Sequence, residues 1–223
     1  MKKAIVLLSG GLDSAVTLYI AKQKGFTCRC LIFDYGQCHL RETEAAKKIS
    51  AYAHCRYELV RIAIPWKGSA LLDKKIRIRG ITESQGQNIA MKIPATYVSA
   101  RNIIFLSFAI SYAEVIDAQA VFIGAHAQDY SGYPDCRPEF FKAFSAMAEV
   151  GTRAGIEKKK RIVIEAPLLH KTKAEIIKTG AGLGVPFALT WSCYRGGKKP
   201  CGKCDSCYYR KRGFHQAGIR DVF

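Results

Sequence analysis

The sequence predicts an α/β protein built on a parallel, twisted β-sheet with helices on both faces. Strand-like and helix-like segments alternate along most of the chain, and such alternation is typical of parallel sheets whose crossovers are helices. The chain has 223 residues, of which 49% are hydrophobic. That is enough for one sizeable core and too apolar for a disordered chain. A turn rich in glycine and serine joins the first strand-like segment to the first helix-like one.

The strands are predicted from short runs that are apolar or alternate in polarity. Residues 28–33 are apolar enough to form a buried strand, whereas residues 58–64 alternate first and then become apolar. The five predicted strands cover residues 4–8, 28–33, 58–64, 120–124 and 162–165.

The helices are predicted from apolar residues that recur at helical spacing. Ala45, Ala46 and Ile49 share one face of the second helix. The glycines of 180–184 follow the last helical pattern and indicate a helix stop. The five predicted helices cover residues 14–24, 41–53, 99–116, 139–153 and 173–179.

The turn after the first strand is the most informative feature of the chain. In Ser-Gly-Gly-Leu-Asp-Ser (9–14), two glycines allow a tight turn close to a ligand. The helix that follows offers unpaired N–H groups, so the segment predicts a cradle for phosphate. The alternative is a turn that only caps the helix through Asp13 or Ser14. The predicted nucleotide-binding residues are Leu8, Ser9, Gly10, Gly11, Leu12, Asp13, Ser14, Ala15, Val16, Thr17 and Leu18.

Other polar segments follow other predicted strands. Ligands of parallel sheets bind beyond the carboxyl ends of the strands, which is where 9–14, 34–37, 124–135 and 166–168 fall. The sequence therefore predicts that distant segments converge on one cleft. We expect His126 within it to be a polar histidine with satisfied hydrogen bonds.

The cysteines predict a metal site. Nine cysteines are an odd number, which does not suit a secreted disulfide framework. Four of them form the pattern C-x7-C-x2-C-x2-C, which suits a tetrahedral, structural zinc ion with no open position. An iron–sulfur cluster is the main alternative, because its ligands look much the same. The predicted ligands are Cys193, Cys201, Cys204 and Cys207.

The chain is strongly basic, with 35 Lys and Arg against 18 Asp and Glu and a net charge of +17. Contact with nucleic acid would account for such a charge. The basic clusters are scattered and match no RNA-binding signature, so we favour a generally basic surface. No apolar run approaches the roughly 20 residues that span a bilayer, and the apolar run at the N-terminus is too short for a signal peptide. We expect a cytoplasmic protein without a membrane partner.

Two parts are expected along the chain. Residues 1–188 form the predicted α/β domain, and residues 189–223 form a small C-terminal region around the cysteines. Residues 66–98 show neither the helical nor the strand periodicity of apolar residues, and so they predict a long loop or lid.

The 9–14 loop resembles the PP-loop of the N-type ATP pyrophosphatases. That resemblance implies a Rossmann-like fold of the adenine nucleotide alpha hydrolase kind, with ATP as co-substrate and AMP and pyrophosphate as products. Together with 33–37, 129–137 and 190–210, the loop resembles the 7-cyano-7-deazaguanine synthase family of queuosine biosynthesis, in the same order from Ile5 to Gly218. This second resemblance implies a homodimeric ligase that uses ATP and ammonia to turn 7-carboxy-7-deazaguanine into a nitrile through adenylated acid and amide intermediates.

The resemblance also implies roles for individual residues. Arg101 and Asn102 match an Arg-Asn pair of the family, and Lys173 lies in a matching segment. A carboxylate beside phosphates predicts Mg²⁺ at Asp13. Two alternatives stay open: a PP-loop tRNA sulfur transferase, and a zinc module that binds nucleic acid. The expected catalytic residues are Asp13, Lys173 and Arg101, and the expected substrate contacts are Arg101, Asn102, Asp135 and Arg137.

Overall fold

Five strands form one parallel sheet in the part of the chain that the structure describes. The structure is a computed structural model and describes residues 2–78, 93–126, 133–157 and 161–222. The strand order is β3-β2-β1-β4-β5, and every neighbouring pair is parallel. The strands are β1 (Lys3–Leu7), β2 (Thr27–Asp34), β3 (Arg56–Arg61), β4 (Ala120–Phe122) and β5 (Val163–Glu165).

Seven α-helices lie among the described residues. They confirm the predicted fold class, although α5 and α7 were not predicted and several bounds differ by one to three residues. Two short 3-10 turns, Pro134–Cys136 and Phe187–Leu189, join them. The helices are α1 (Leu12–Gln23), α2 (Arg41–Tyr52), α3 (Arg101–Ile116), α4 (Pro138–Gly151), α5 (Arg153–Ile156), α6 (Lys173–Gly182) and α7 (Asp205–Ala217).

The sheet is covered on both faces. Successive side chains of a strand point to opposite sides, and in β1 Ala4 and Val6 pack in one cluster while Ile5 and Leu7 pack in the other. The first cluster includes residues of α1, α2, α6 and α7, and the second includes residues of α3 and α4. Burial on both sides explains the nearly continuous apolar run of β1.

The strand order places a crevice at the carboxyl end of β1. β2 and β3 lie on one side of β1, and β4 and β5 lie on the other. Such a reversal is where ligands of open α/β sheets bind. Gly124, just after β4, lies so close to the start of α1 that a Cβ there would be 3.0 Å from backbone atoms of Asp13 and Ser14. The turn after β1 and the end of β4 are therefore side by side.

Helix α6 is longer than predicted because Gly180 serves packing inside it, whereas the predicted glycine stop is confirmed at Gly184. A Cβ on Gly180 would lie 2.7 Å from Val16 Cγ2 and 2.8 Å from Phe187 Cζ. The helix continues to Gly182, and the left-handed residue that follows is Gly184, with φ of 70°. Gly180 thus lets α6 approach α1 closely.

Helix α7 was missed because its sequence is polar and contains a glycine, which weakens helical propensity. Tertiary packing overrides that propensity. Phe214 is 2% exposed and meets Phe187 edge to face at 5.2 Å. A Cβ on Gly213 would lie 2.4 Å from Lys173 Cγ and 2.9 Å from Ile177 Cδ1. Gly213 is therefore the point at which α7 presses against α6.

Part of the predicted lid, 79–92, lies outside the described residues. The two described arms, 66–78 and 93–98, contain neither helix nor strand and are joined by a hydrogen bond from Ala70 N to Ala95 O of 2.7 Å. Ser69 and Thr96 are buried, so both arms pack on the rest of the fold. Of the helices described, none has the length and apolarity that crossing a bilayer requires.

Candidate active site

The turn after β1 leaves the N-terminus of α1 open. Gly11 is the N-cap residue, and no side chain accepts a hydrogen bond from the first turn. Instead Ser14 Oγ donates to Gly11 O at 3.0 Å, and Ser9 Oγ donates to Ser14 Oγ at 3.1 Å. Asp13 and Ser14 therefore do not cap this helix. The open N–H groups and the dipole of α1 favour an anion here.

Gly10 fixes the path of this turn. Its φ of 88° is in the left-handed region that favours glycine. A Cβ on it would lie 2.1 Å from Glu42 O and 2.7 Å from Ala46 N. The turn is thus pressed against the backbone of α2, and only glycine fits.

A cavity of about 420 Å³ opens in front of this turn. Most of the first part of the predicted nucleotide-binding segment lines the cavity. Gly10 is not in the described lining, and Ala15, Val16, Thr17 and Leu18 are buried in α1. The lining residues of the segment are Leu8, Ser9, Gly11, Leu12, Asp13 and Ser14. The predicted convergence is observed for 9–14, 34–37 and 124–135, each of which contributes lining residues, whereas no residue of 166–168 is in the described lining. The polar lining includes Ser9, Asp13, Ser14, Gln37, Glu42, Arg101, Asn102, His126, Lys173, Ser192 and Asp205.

Asp13, Lys173 and His126 form a charged cluster in the cavity wall. Lys173 Nζ donates to both carboxylate oxygens of Asp13 at 2.8 Å and lies 3.0 Å from His126 Nε2. His126 Nε2 is also 3.2 Å from Asp13 Oδ2. Burial alone would raise the pKa of the Asp13 carboxyl, but Lys173 and His126 hold that pKa well below its usual value. Asp13 is therefore ionised and fixes the Lys173 ammonium at the cavity.

His126 was underestimated in the sequence analysis. It is a satisfied polar histidine, as expected, but it is 3% exposed and lines the cavity. The sequence could have indicated this position, because His126 lies four residues after β4, at the same edge of the sheet as residues 9–14. Residues 9–14 are called the phosphate turn from here on, after the ligand predicted for them.

Arg101 and Tyr35 form a second polar group at the cavity. The guanidinium lies 5.9 Å from the centre of the Tyr35 ring, and its Nη1 donates to Tyr35 Oη at 3.4 Å. Burial works against the positive charge, but Tyr35, Tyr133 and Glu42 keep the pKa of Arg101 above its usual value. Arg101 therefore presents a permanent positive charge.

Glu42 is a cavity residue that the sequence did not single out. Burial raises the pKa of its carboxyl group to about 7, although Arg101 works in the opposite direction. Within the described residues no hydrogen bond or ion pair joins this carboxyl group to a protein group. The sequence signal was weak, because Glu42 is one of two acidic residues in the first turn of α2.

Asn102 and Asp135 bind each other. Asn102 N donates to Asp135 Oδ2 at 3.0 Å, and Asn102 Nδ2 donates to Asp135 O at 3.1 Å. Asp135 is 4% exposed and is not among the described residues that line the cavity, whereas Asn102 is. Arg137 is exposed and precedes α4. The geometry brings Asp13, Lys173, Arg101 and Asn102 to the cavity and leaves Asp135 and Arg137 outside the described lining. Residues 129–132 of the motif 129–137 lie outside the described residues.

Aromatic rings form the apolar part of the cavity. Phe33 and Phe105 stack at 3.9 Å between ring centres, with 6° between their planes, and Tyr35 meets Phe105 edge to face at 5.4 Å. Tyr133 and Trp191 also line the space. Such walls suit a flat, aromatic ligand.

The four predicted cysteines form a cluster that fits one metal ion. Their Sγ atoms all lie within 4.8 Å of one another, which is compatible with a tetrahedral ion and sulfur ligands at ~2.3 Å. Backbone N–H groups point at sulfur, from Cys201 to Cys193 Sγ at 3.3 Å and from Cys204 to Cys201 Sγ at 3.3 Å. Hydrogen bonds from Cys204 and Cys207 lower the pKa of Cys193. The four cysteines could therefore hold one metal ion.

The cysteine region, defined as residues 189–222, touches the phosphate turn directly. Trp191 N donates to Gly10 O at 2.9 Å. Arg210 is 2% exposed, binds both carboxylate oxygens of Asp221 at 2.8 and 2.9 Å, and donates to Thr190 Oγ1 at 2.7 Å. A buried arginine thus ties α7 to the segment that holds the turn.

The sheet order, the open turn after β1 and the cavity in front of it define a PP-loop α/β protein. The fold is similar to that of NMN synthetase from Francisella tularensis, with a TM-score of 0.53 and 15% identity over 98% of this chain and 78% of that chain. At this identity the likeness concerns the fold alone.

The particular family follows from sequence comparison. The model of the family described as queuosine biosynthesis protein QueC matches residues 3–218, and the chain belongs to this family. It is 52% identical over 222 residues to 7-cyano-7-deazaguanine synthase 2 of Desulfitobacterium hafniense (strain Y51), covering 99% of this chain and 92% of the relative. It is 52% identical over 225 residues to 7-cyano-7-deazaguanine synthase of Coxiella burnetii (strain RSA 493 / Nine Mile phase I), covering 99% and 96%. The predicted family is confirmed and is favoured over the sulfur transferase alternative.

Proposed function

We propose that this chain is a ligase that converts 7-carboxy-7-deazaguanine and ammonia into 7-cyano-7-deazaguanine, with ATP cleaved to AMP and pyrophosphate. The observation that carries the proposal is membership of the QueC family over residues 3–218, with 7-cyano-7-deazaguanine synthases as relatives along the whole chain. The cavity supports it, since it joins an anion-binding turn to aromatic walls.

The first step activates the acid. A carboxylate oxygen attacks the α-phosphorus of ATP, the bond to the pyrophosphate oxygen breaks, and an acyl adenylate forms. The open N–H groups at the start of α1 and the hydroxyls of Ser9 and Ser14 bind phosphate oxygens. The Lys173 ammonium, held by Asp13 and His126, balances the negative charge that develops on them.

The next steps remove both oxygens of the acid. Ammonia attacks the acyl carbon, AMP leaves with one oxygen, a proton is lost, and an amide remains. The amide oxygen then attacks a second ATP at the α-phosphorus and releases pyrophosphate. Loss of AMP with that oxygen, and of the remaining N–H protons, gives the nitrile. Neither adenylate survives water, so the cavity must exclude water while the intermediates are bound.

Bound ions would have two different places. Asp13 would hold Mg²⁺ together with phosphate oxygens, as one carboxylate and a nucleotide usually do, and the ion would neutralise the leaving pyrophosphate. Cys193, Cys201, Cys204 and Cys207 would hold zinc as a structural ion, because four thiolates leave no open position. An iron–sulfur cluster is the competing occupant.

Asn102 and Asp135 act together as positioning residues in this proposal. Their hydrogen bonds fix the start of α3 and hence Arg101, the residue before Asn102. Arg101 contacts the substrate. A contact from Arg137 stays a prediction, as do the homodimer, free ammonia as the nitrogen source, a cytoplasmic location and the absence of a nucleic-acid partner.

Mass spectrometry of the products tests the proposal. Metal-loaded protein incubated with the acid, ATP, Mg²⁺ and ammonium should form the nitrile and AMP, and omitting the acid should suppress AMP formation. Lys173→Met should lower kcat by about 10²- to 10³-fold, the range for one lost charge-stabilising group. Lys178→Met removes a charge from the same helix and should leave kcat unchanged. AMP release that needs tRNA and ignores the acid would contradict the proposal.

A further inference from the structure

We infer that Glu42 and Arg101 together recognise the guanine-like edge of the substrate, with Glu42 as the residue that determines specificity for its 2-amino group. This inference rests on the proposed function and deepens it. It concerns which atoms of the base bind where, a question that the phosphate turn does not address.

The first argument is the state of the two side chains. Both line the cavity and influence each other's charge, yet they form no ion pair with each other among the described contacts. Arg101 donates to Tyr35, and among the described residues no hydrogen bond or ion pair joins the Glu42 carboxyl group to a protein group. Both side chains are half-buried, so a carboxylate acceptor and several guanidinium N–H donors stay available to a ligand in the cavity.

The second argument is chemical complementarity. The edge of a guanine-like base presents one carbonyl oxygen followed by two parallel N–H donors. A guanidinium donates to the oxygen, and a carboxylate accepts from both N–H groups in a bidentate manner. Adenine presents only one exocyclic amino group on the corresponding edge, so the carboxylate would be half used. The pair therefore fits the deazaguanine better than the adenine of ATP.

The third argument is position. Tyr35 follows β2 directly and binds Arg101, whereas Asp13 and His126 follow β1 and β4. β1 lies between β2 and β4, so the end of β2 is about one strand spacing from the turn after β1 and about two, roughly 10 Å, from the end of β4. On the bicyclic base the carbonyl oxygen of the edge is next to the carboxyl group, whereas the 2-amino group lies on the far side of the six-membered ring. A carbonyl oxygen bound by Arg101 would therefore keep the neighbouring carboxyl group within reach of the turn after β1, with the 2-amino group directed away from it.

The competing carboxylate is Asp135, which the sequence placed among the substrate contacts. Its Oδ2 accepts the N–H group of Asn102, and Asp135 is outside the described lining. The acids of the described lining are Asp13, Glu42 and Asp205, and of these Glu42 is the one whose carboxyl group interacts electrostatically with Arg101.

The experiment compares two ligands in binding and turnover. Calorimetry measures the binding of 7-cyano-7-deazaguanine and of its analogue without the 2-amino group. AMP formation is measured with 7-carboxy-7-deazaguanine and with the analogue of that acid that lacks the 2-amino group. The variants are Glu42→Gln and, as a control of equal charge on the same helix, Glu44→Gln, whose side chain is exposed and pairs with Arg41 at 3.7 Å. Thermal melting and metal content check that each variant is folded.

The parent protein should prefer the 2-amino ligand by about 10²-fold or more, because the analogue leaves Glu42 with an unused acceptor. In Glu42→Gln this preference should fall to about tenfold or less, with KM for ATP unchanged. Glu44→Gln should behave as the parent. If Glu42→Gln melts early, Glu42→Asp, which keeps the charge but withdraws it by one methylene, should show an intermediate preference.

Two results would overturn the inference. One is an undiminished preference in Glu42→Gln, and the other is a rise in KM for ATP without a change in preference, which would assign the pair to adenine. Failure of the parent protein to make nitrile while it binds the base selectively would count against the proposed function alone. In that case the calorimetric comparison still decides the role of Glu42.

Discussion

The sheet and the cysteine region form two walls of the same cavity, but different forces hold them. The sheet is stabilised by two large apolar clusters, one on each face. The cysteine region has a local cluster of three buried cysteines and a buried arginine bound to Asp221. Because small regions bury too little apolar surface to fold on that basis alone, we expect the cysteine region to depend on its buried ion pair and on a metal ion held by the four cysteines. Removing a bound metal, which does not affect apolar packing, should therefore unfold the cysteine region and leave the sheet folded.

Removing the metal should have the largest effect. Structural zinc contributes about 10–16 kcal/mol in small zinc-binding peptides, so Cys204→Ser or a chelator should unfold the cysteine region and free the phosphate turn from Trp191. We expect AMP formation to fall by at least about 100-fold while most of the helical circular dichroism remains. Cys28→Ala is the control, because it removes a buried thiol from β2 and not from the four-cysteine cluster. This variant should bind as much metal as the parent protein. Full activity in metal-free protein would contradict the comparison.

Changing Gly10 should damage the sheet side of the cavity next most strongly. Gly10→Ala introduces a Cβ 2.1 Å from Glu42 O at a left-handed φ, and we expect a loss of about 3 kcal/mol or more in the free energy of unfolding. At Gly11 the nearest atom to a Cβ is 3.4 Å away, and Gly11→Ala should cost less than about 1 kcal/mol. Urea denaturation measures both, and equal losses would show that the turn is not pressed on α2.

Gly213 tests the contact between the two regions. Ala is normally favoured over Gly in a helix by about 1 kcal/mol, but a Cβ at Gly213 would meet Lys173 Cγ at 2.4 Å. Gly213→Ala should displace Lys173 and lower kcat by about tenfold, the cost of roughly 1.4 kcal/mol in the barrier. Gly182→Ala, in α6 with no atom within 4 Å of the added Cβ, should leave kcat unchanged. The prediction fails if the two variants are equally active.

The smallest expected effect is a gain in stability. Ala100 has a left-handed φ of 55°, which costs about 1–2 kcal/mol in a residue with a Cβ. Ala100→Gly removes this strain and should raise the free energy of unfolding by up to about 1 kcal/mol. The gain is smaller than the strain itself, because glycine also raises the conformational entropy of the unfolded chain. Ala109→Gly, inside α3 and fully buried, should lower it by at least about 1 kcal/mol. A loss in both variants would mean that Ala100 is not strained.

What the sequence predicted well is encoded locally. The 9–14 turn and the cysteine spacing each bring ligand atoms together within one short segment, so neither needs knowledge of the fold. The alternating strands and helices likewise follow from local periodicity.

Residues that gain their role through tertiary contacts were harder to identify. Glu42 is an ordinary acidic residue in a helix until α2 packs on Gly10 and faces Arg101. Asp135 has the right chemistry for a base, but Asn102 N binds it. The glycines Gly180 and Gly213 look like helix breakers, yet each allows two helices to approach.

The bond between Trp191 and Gly10 has a consequence for the newly made protein. The turn around Gly10 is synthesised well before Trp191, the residue that braces it, and the last strand of the sheet, β5, also precedes Trp191. Since protein domains begin to fold as they emerge from the ribosome, a nascent chain would carry its sheet before the turn is braced. The turn should therefore reach its final position only after Trp191 has emerged.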